Sequence, residues 1–194
     1  MQLLNRSLVM VDLLDFIHVY EEALEPDICQ FLISTFEQNS EKHERYDNEG
    51  KPNFTQYNLT ENHKESEQLI SVHNHLIRKT IEYRDLYYQF IDARVFPEEH
   101  AFEQFRIKKY NADGVDQFDT HVDVLDYPTA RRYLSFTWYL NDVETGGTTV
   151  FKDLQITPKV GSLLIFPPLW MFPHKGDFPV SNPKYILTTY LHYK

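Results

Sequence analysis

The stretch from Arg132 to Phe166, RYLSFTWYLNDVETGGTTVFKDLQITPKVGSLLIF, decides the fold of this chain. It contains short runs rich in β-branched and aromatic residues, which are typical of strands. Gly and Pro turn signals separate the runs, and no helical periodicity lies between them. The predicted strands are Arg132–Leu140, Thr148–Phe151, Gln155–Thr157 and Ser162–Phe166. Short strands without intervening helices predict an antiparallel sandwich or barrel and argue against a parallel α/β sheet.

Short strand-forming runs also occur on both sides of this stretch, whereas the first hundred residues predict helices. Further strands are expected at Phe102–Tyr110 and Tyr185–His192. A proline near a helix start and apolar residues at helical spacing predict a helix over Glu25–Glu37. A second apolar stripe predicts a helix from about Glu61 to Tyr83. The polar segment Asn39–Asn58 between them is expected to be a loop, and both a mobile lid and a plain surface connection fit it.

Length and composition favour one globular domain, which we expect to span residues 1–194. Apolar residues make up 42% and aromatic residues 15% of the chain, which argues against a disordered or low-complexity protein. The formal net charge of −10 argues against a nucleic-acid partner, because such partners bind clustered Lys and Arg. No apolar run approaches the length of a membrane span, and no cleavage site follows the N-terminal residues. We therefore expect a cytoplasmic protein without a membrane partner, and the sequence does not decide its oligomeric state.

The candidate chemistry starts at the motif His121-x-Asp123. Alternate residues of a strand project from the same face, so the His121 imidazole and the Asp123 carboxylate can reach one metal ion. A chance surface pair is an equally good interpretation of this motif alone. A second pair of this type, His63-x-Glu65, lies in a helical stretch where residues i and i+2 diverge, and we set it aside. The sequence has no HExxH helix, paired cysteines, GxSxG elbow or phosphate loop, so the usual zinc, hydrolase and nucleotide sites are not indicated.

The residues downstream give the His-x-Asp pair a context. They are Gly146-Gly147-Thr148-Thr149-Val150-Phe151, Gly161-Ser162-Leu163-Leu164-Ile165-Phe166, His174 and then Lys184. This order of motifs resembles the Fe(II)/2-oxoglutarate-dependent dioxygenases, and most closely their prolyl 4-hydroxylase-like branch. Arg132–Asp142 is similar to the strand that follows the first ligand pair in that family, and Phe16–Cys29 to its opening strand and helix. The resemblance therefore covers residues 16–193.

The resemblance implies an α+β fold that is mainly β. Its centre would be a double-stranded β-helix, a jelly-roll or cupin-like barrel, with N-terminal helices packed on the major sheet. Within the single domain, residues 1–100 would supply the opening strand and the supporting helices. Residues 101–194 would form the catalytic barrel core.

The resemblance also implies a catalytic metal site made by His121, Asp123 and His174. Two histidines and one carboxylate on one face of the ion leave three coordination positions open, as in non-haem Fe(II) oxygenases. Zinc hydrolases, in contrast, need one open position for water. In the family, 2-oxoglutarate takes two of the open positions and O2 the third, and ascorbate often assists as a reductant. For His174 alone a packed core histidine is the simpler interpretation, but its place among the other motifs favours the ligand role.

Four further residues are expected to bind the cosubstrate. Lys184 would hold the distal carboxylate of 2-oxoglutarate inside the barrel, where a lone cation is otherwise costly. Thr188 would project from the same face of the strand as Lys184. Tyr110 and Tyr139 match family positions whose phenols often reach the bound cosubstrate, although an aromatic core role fits both tyrosines equally well.

The expected activity is hydroxylation of an unactivated C–H bond, with conversion of 2-oxoglutarate and O2 to succinate and CO2. Arg132 matches an arginine that contacts substrate in peptide-hydroxylating relatives, which favours a peptidyl proline; an exposed arginine at a strand start is the alternative. Phe118 departs from that branch, where a tyrosine is usual, and this departure weakens the peptidyl-proline assignment. Two other hypotheses stay open. One is the same chemistry on a free amino acid or another small molecule, and the other is a non-catalytic cupin-like binding module.

Overall fold

The strands form two antiparallel sheets that share an apolar interior, and the computed structural model describes residues 12–48, 52–91 and 96–194. The larger sheet has the order β1 (His18–Tyr20), β10 (Leu163–Phe166), β7 (Arg132–Tyr139), β12 (Lys184–Tyr193), β5 (Arg106–Tyr110), β3 (Asn53–Asn58) and β2 (Glu44–Asp47), and β4 (His100–Phe102) also pairs with β12. The smaller sheet has the order β6 (Phe118–His121), β11 (His174–Gly176), β8 (Thr149–Phe151) and β9 (Leu154–Ile156). All described strand pairs are antiparallel, which confirms the predicted architecture.

Two helices, α1 (Pro26–Gln38) and α3 (Glu67–Tyr88), cover one face of the larger sheet. Their apolar sides and that face of the sheet share one buried core, which includes Leu32, Phe36, Leu76, Phe136, Trp138 and Leu187. This packing confirms the expectation that N-terminal helices support the major sheet. Within the described ranges, none of the helices has the length and apolar character needed to span a bilayer.

The helix predicted over Glu61–Tyr83 is divided in two. A short helix, α2 (Leu59–Asn62), precedes α3. Asn58 caps α2, because its side chain accepts a hydrogen bond of 3.2 Å from an N–H of the first turn. Ser66 has extended backbone and caps α3 in the same way, at 3.1 Å. Two capping residues in close succession therefore end one helix and begin the next.

The segment Asn39–Asn58, predicted to be a loop, contains two strands, so this prediction is wrong. β2 pairs with β3, and β3 extends the larger sheet by pairing with β5. β3 is polar because part of it borders a groove and not the apolar interior. The side-chain amides of Gln56 and Asn58 donate hydrogen bonds of 2.8 Å and 2.9 Å to neighbouring side chains. The sequence Gly50-Lys51-Pro52 within this segment predicts a turn, and its first two residues lie outside the described residues.

The strand predicted over Phe102–Tyr110 is two strands, β4 and β5. Between them, Phe105 bonds to the start of α2 and not to a strand. Its N–H donates to Thr60 Oγ1 at 2.8 Å, and its carbonyl accepts from the Leu59 N–H at 3.0 Å. The chain re-enters the sheet at β5, which lies between β3 and β12.

Alternate residues of the central strands face opposite sides of the larger sheet. On β10, Leu163 and Ile165 belong to the core beneath the helices, whereas Leu164 and Phe166 belong to the core between the sheets. The core between the sheets also contains Tyr110, Tyr139, Phe151, Ile156, Phe172 and Ile186. The larger sheet is therefore buried on both faces, and its second face looks into the barrel.

Gly161 lies where the barrel meets the connection after β1, and only glycine fits its conformation. Its φ is +76°, and a Cβ at this position would lie 2.3 Å from the carbonyl oxygen of Leu24. The approach is close because the Leu24 N–H donates a hydrogen bond of 2.9 Å to the Gly161 carbonyl. The glycine of this motif thus serves packing as well as the turn.

Gly161→Ala is expected to lower the free energy of unfolding by about 2–4 kcal/mol, because left-handed strain and a clash with backbone add together. Gly114→Ala is the matched control, since Gly114 also has a φ of +76° but nothing within 4 Å of a Cβ. The control should lose only about 1–2 kcal/mol, from the left-handed conformation alone. Urea unfolding of both variants measures the difference, and equal losses would show that the contact with Leu24 contributes nothing.

Candidate active site

The register between β6 and β11 brings the predicted metal ligands together. His121 ends β6, His174 begins β11, and the two residues are direct partners in the antiparallel ladder. Asp123 lies two residues beyond the end of β6. His121 Nε2 is 3.6 Å from Asp123 Oδ1, and His174 Nε2 is 3.9 Å from Asp123 Oδ2. One potential ligand atom from each of the three residues lies within 4.8 Å of the other two, so they can share one ion.

Backbone carbonyls orient both imidazoles toward this point. His121 Nδ1 is 2.7 Å from the carbonyl oxygen of Asp119, and His174 Nδ1 is 3.1 Å from that of Phe172. A carbonyl can only accept, so each Nδ1 carries the proton and each Nε2 presents a lone pair. Phe118 stacks on the His121 ring, with centroids 3.5 Å apart and planes at 8°. The residue that departs from the family pattern therefore packs against a ligand.

The Asp123 carboxylate is buried and only partly satisfied. The Tyr190 hydroxyl donates to Oδ1 at 3.0 Å, while Oδ2 has no hydrogen-bond partner among the described residues. Burial alone would raise the pKa of Asp123, but the neighbouring imidazoles of His121 and His174 and the hydrogen bond from Tyr190 lower that pKa to about 2. Burial also lowers the pKa of His174, which favours its neutral, metal-binding form. An ionised, unpaired oxygen facing two imidazole lone pairs is suited to a cation.

A small chamber of about 60 Å³ adjoins the three ligands, and Lys184 closes its inner end. Only 3% of Lys184 is exposed, and its ammonium donates to the Gly147 carbonyl at 2.7 Å. The ammonium also lies 5.3 Å and 5.8 Å from the ring centroids of Tyr110 and Tyr139. Burial lowers the pKa of Lys184 to about 8, with Asp177 acting in the opposite direction. An ammonium that has three protons and one hydrogen-bond acceptor can accommodate an anionic ligand in the chamber.

The other predicted cosubstrate residues differ in their placement. Thr188 and Tyr110 are buried and line the chamber. Tyr139 is fully buried, but it is not among the described side chains that line the chamber. Its hydroxyl donates to Thr149 Oγ1 at 2.7 Å, and Thr149 does line the chamber. Direct contact between Tyr139 and a cosubstrate therefore stays a prediction, and the observed geometry gives Tyr139 a supporting position.

Arg132, predicted to bind substrate, is largely engaged within the protein. Its guanidinium donates to both carboxylate oxygens of Glu103 at 2.7 Å and 2.9 Å and to the Asp123 carbonyl at 3.0 Å. It also lies over the Tyr190 ring, 4.1 Å from the centroid. These contacts hold the backbone of a metal ligand. Arg132 still borders an open groove, so its contact with substrate stays a prediction.

An outer groove of about 450 Å³ adjoins the chamber and shares several of its residues. The residues that line both are Lys108, Phe118, His121, Asp123, Thr188 and Tyr190. Sequence reasoning missed Lys108 and Tyr190. Period-two alternation along β5 and β12 places them on the same faces as Tyr110 and Lys184, and this signal could have identified both.

Residues 105–192 match the sequence profile described as the 2OG-Fe(II) oxygenase superfamily. No curated protein matches the chain. A solved structure similar to the chain is the viral collagen prolyl hydroxylase vCPH from Paramecium Bursaria Chlorella virus-1, in its 2OG complex. The identity is 19%, the alignment covers 92% of this chain and 97% of that chain, and the TM-score is 0.71.

Two further solved structures are similar to the chain. One is a prolyl-4-hydroxylase from Pseudomonas putida, with 16% identity over 92% of this chain and 93% of that chain, and a TM-score of 0.69. The other is a prolyl hydroxylase from Trichoplax adhaerens in complex with a peptide fragment of the hypoxia inducible factor oxygen degradation domain. Its identity is 13% over 92% of this chain and 84% of that chain, and its TM-score is 0.70. These similarities confirm the predicted double-stranded β-helix fold.

Metal affinity is expected to fall in a graded way when the site is altered. Asp123→Ala removes the one anionic ligand and should weaken Mn(II) binding more than Tyr190→Phe, which removes only the hydrogen bond to that ligand. Loss of such an outer partner typically costs about 10- to 100-fold in affinity. Calorimetric titration with Mn(II), a redox-stable substitute for Fe(II), measures both effects.

His63→Ala is the matched control for these titrations, because His63 belongs to the other His-x-carboxylate pair, in a 3-10 turn. It should bind Mn(II) as the unaltered protein does. Unchanged affinity in Asp123→Ala would show that the three residues do not form the metal site.

Proposed function

We propose that this chain is a dioxygenase that hydroxylates a peptidyl proline, because residues 105–192 match the profile of the 2OG-Fe(II) oxygenase superfamily. One observation carries the assignment of the cosubstrate site. A single chamber holds both the three converging ligands, with the unpaired Asp123 Oδ2, and the buried ammonium of Lys184. The presence of all three ligands together with Lys184 argues against a non-catalytic cupin-like module.

The residues present fit an Fe(II) ion and 2-oxoglutarate. His121, Asp123 and His174 would hold the ion, and Lys184 and Tyr110 would hold the distal carboxylate of the cosubstrate. Thr188 lines the same chamber two same-face positions nearer the groove, opposite Arg106, so it would contact the cosubstrate away from that carboxylate. When bound, Fe(II) and 2-oxoglutarate supply the oxidation, in which O2 gives one oxygen atom to succinate and one to the hydroxyl group, and CO2 is released. Ascorbate would assist as a reductant.

The protein's own contribution is placement and exclusion of water. Leu164, Phe166 and Ile186 line the chamber with apolar surface, which limits water beside the reacting C–H bond. The ammonium of Lys184 and the three ligands lie at opposite parts of one chamber, so a cosubstrate that spans them is fixed in one orientation. The open outer groove then leaves access to the metal for a substrate.

Exposed apolar side chains beside the site support a peptide as substrate. Leu125 is 83% exposed, Tyr127 93% and Trp170 76%. They lie on the two loops that follow Asp123 and precede His174, and the Val124 N–H joins these loops by donating to the Pro168 carbonyl at 3.1 Å. Large apolar side chains exposed on loops that adjoin a site are typical of surfaces that bind other chains. The similar Trichoplax enzyme was solved with a peptide fragment bound.

Lys184→Met is expected to raise the KM for 2-oxoglutarate by about 10- to 100-fold, because it removes a charge-assisted hydrogen bond from a buried site. Lys184→Arg keeps the charge and should recover part of that loss. The control is Lys152→Met, since the Lys152 side chain is 88% exposed and outside the chamber. Succinate formation at varied 2-oxoglutarate measures KM, and an unchanged KM in Lys184→Met would place the cosubstrate elsewhere.

The protein with Fe(II), 2-oxoglutarate and ascorbate is expected to form succinate slowly without substrate, and His121→Ala should abolish this turnover. Mass spectrometry should detect the gain of one oxygen atom in proline-rich peptides. The same screen includes free amino acids, which tests the alternative of a small-molecule substrate. Turnover of free proline with no reaction on any peptide would contradict the peptidyl assignment, and unchanged succinate output in His121→Ala would contradict the metal site.

A further inference from the structure

Lys108 lies at the junction between the chamber and the outer groove. It is on β5, one residue after Ile107 in the core beneath the helices and two before Tyr110 in the core between the sheets. Strand alternation therefore turns Lys108 toward the barrel interior. It lines both spaces together with the metal ligands His121 and Asp123. The proposed function assigns no role to this side chain.

The ammonium of Lys108 has no ionic or hydrogen-bonded partner in the described parts of the chain. The ammonium lies over the Phe54 ring, whose centroid is 4.9 Å from Nζ. Burial lowers the pKa of Lys108 to about 8, with the charge of Asp123 acting in the opposite direction. The side chain is thus mainly protonated at neutral pH, although it is partly withdrawn from water. Arg132 is different, because Glu103 pairs with it through two hydrogen bonds.

The charges nearest the metal leave Lys108 without an ion-pair partner, and the two other carboxylates that line the groove, Glu44 and Glu61, bond to the amides of Gln56 and Gln104. A divalent metal, the Asp123 carboxylate, dianionic 2-oxoglutarate and the Lys184 ammonium together are neutral. Glu103 lies against both Arg132 and Arg106, at 2.7 Å and 3.8 Å, and within the described residues it forms no ion pair with Lys108, on which its charge acts only from farther away. A protein with a net charge of −10 therefore keeps an unpaired cation beside its reaction centre. A cation in this setting attracts an anionic group of the molecule that enters the groove.

The strand register separates Lys108 from the cosubstrate end of the chamber. Lys184 lies opposite Tyr110, whereas Lys108 lies opposite Ile186, one same-face position nearer the groove. Such positions are about 7 Å apart along a strand. Lys184 is therefore at the inner end and Lys108 at the mouth. This position suits a group on the substrate and not the distal carboxylate of 2-oxoglutarate.

We propose that Lys108 is a specificity-determining residue that binds a carboxylate of the substrate, close to the carbon that is hydroxylated. This inference rests on the proposed hydroxylation of proline and specifies a proline with a nearby carboxylate as the substrate, whether that proline is peptidyl, as proposed, or free, as in the alternative. Two sources have this chemistry: the α-carboxylate of free or C-terminal proline, and an acidic side chain next to a proline within a peptide.

The test compares pairs of probes that differ in one charge. The first pair is L-proline and L-prolinamide, and the second is a proline-rich peptide with Glu beside the proline and the same peptide with Gln. Calorimetry on the protein loaded with Mn(II) and 2-oxoglutarate measures binding, and mass spectrometry of the Fe(II) enzyme measures hydroxylation. The carboxylate member of at least one pair should bind about tenfold or more tightly than its amide, as expected for a charge-assisted hydrogen bond. The pair that discriminates identifies the source of the carboxylate.

Lys108→Met should reduce this preference to about twofold or less, and Lys108→Arg should recover most of it. Lys109→Met is the matched control. It removes the same charge from the next residue, which pairs with Glu37 at 2.8 Å, and it should keep the preference.

Equal binding of both members of both pairs by the unaltered protein would overturn the inference. So would a preference that survives in Lys108→Met, or a Lys108→Met defect confined to the KM for 2-oxoglutarate. A preference that depends on Lys108 without any hydroxylation of the probes would support the carboxylate site and contradict the proposed reaction on proline. Binding and turnover therefore separate failure of this inference from failure of the proposed function.

Discussion

The register between β6 and β11 is the constraint on which the site depends. His174 stands directly opposite His121, and a shift of one residue would turn one imidazole to the other face of the sheet. β8 supports β11 from its other side, where Phe151 is the partner of His174. A β-bulge follows between His174 and Gly176, and bulges of this kind direct side chains beside active sites. Because Asp123 follows the end of β6, the smaller sheet supplies both histidines and sets the position of the carboxylate.

The larger sheet supplies the remaining parts, and β12 is the strand that joins them. β12 pairs with β5 on one side and β7 on the other, so its backbone is fixed over most of its length. Lys184, Thr188 and Tyr190 project from the same face of this strand into the barrel. Tyr190 reaches across to Asp123, and the Arg132 guanidinium lies over the Tyr190 ring while it bonds to the Asp123 carbonyl. The two sheets are thus linked through one metal ligand.

Sequence reasoning predicted the parts of this arrangement that leave a local signal. Short apolar runs and turn residues predicted the antiparallel strands, whereas the packing of the helices on the major sheet and the set of three ligands were implied by the resemblance to the dioxygenase family. The prediction of a loop over Asn39–Asn58 is wrong, because its polar side chains were interpreted as facing solvent. In the structure this segment contains strands, and the polar side chain of Gln56 lines the outer groove. Lys108 and Tyr190 were missed for a related reason. The period-two alternation of side chains predicts which residues of one strand share a face. It does not predict which residues of the opposite sheet they contact, because that depends on how the two sheets pack.

Arg132, Lys184 and Lys108 are cations inside the barrel, and they differ in how many hydrogen-bond acceptors the protein provides for each. Arg132 donates to three acceptors in the protein, so its guanidinium is satisfied and fixes the backbone of a ligand. Lys184 has one protein acceptor, and Lys108 has none within the described residues. An incompletely paired cation is costly when it is buried, as Lys184 is, or partly withdrawn from water, as Lys108 is, and the lowered pKa of each lysine, about 8, reflects that cost. We therefore expect anionic groups to bind at both lysines, one at the inner end of the chamber and one at its mouth.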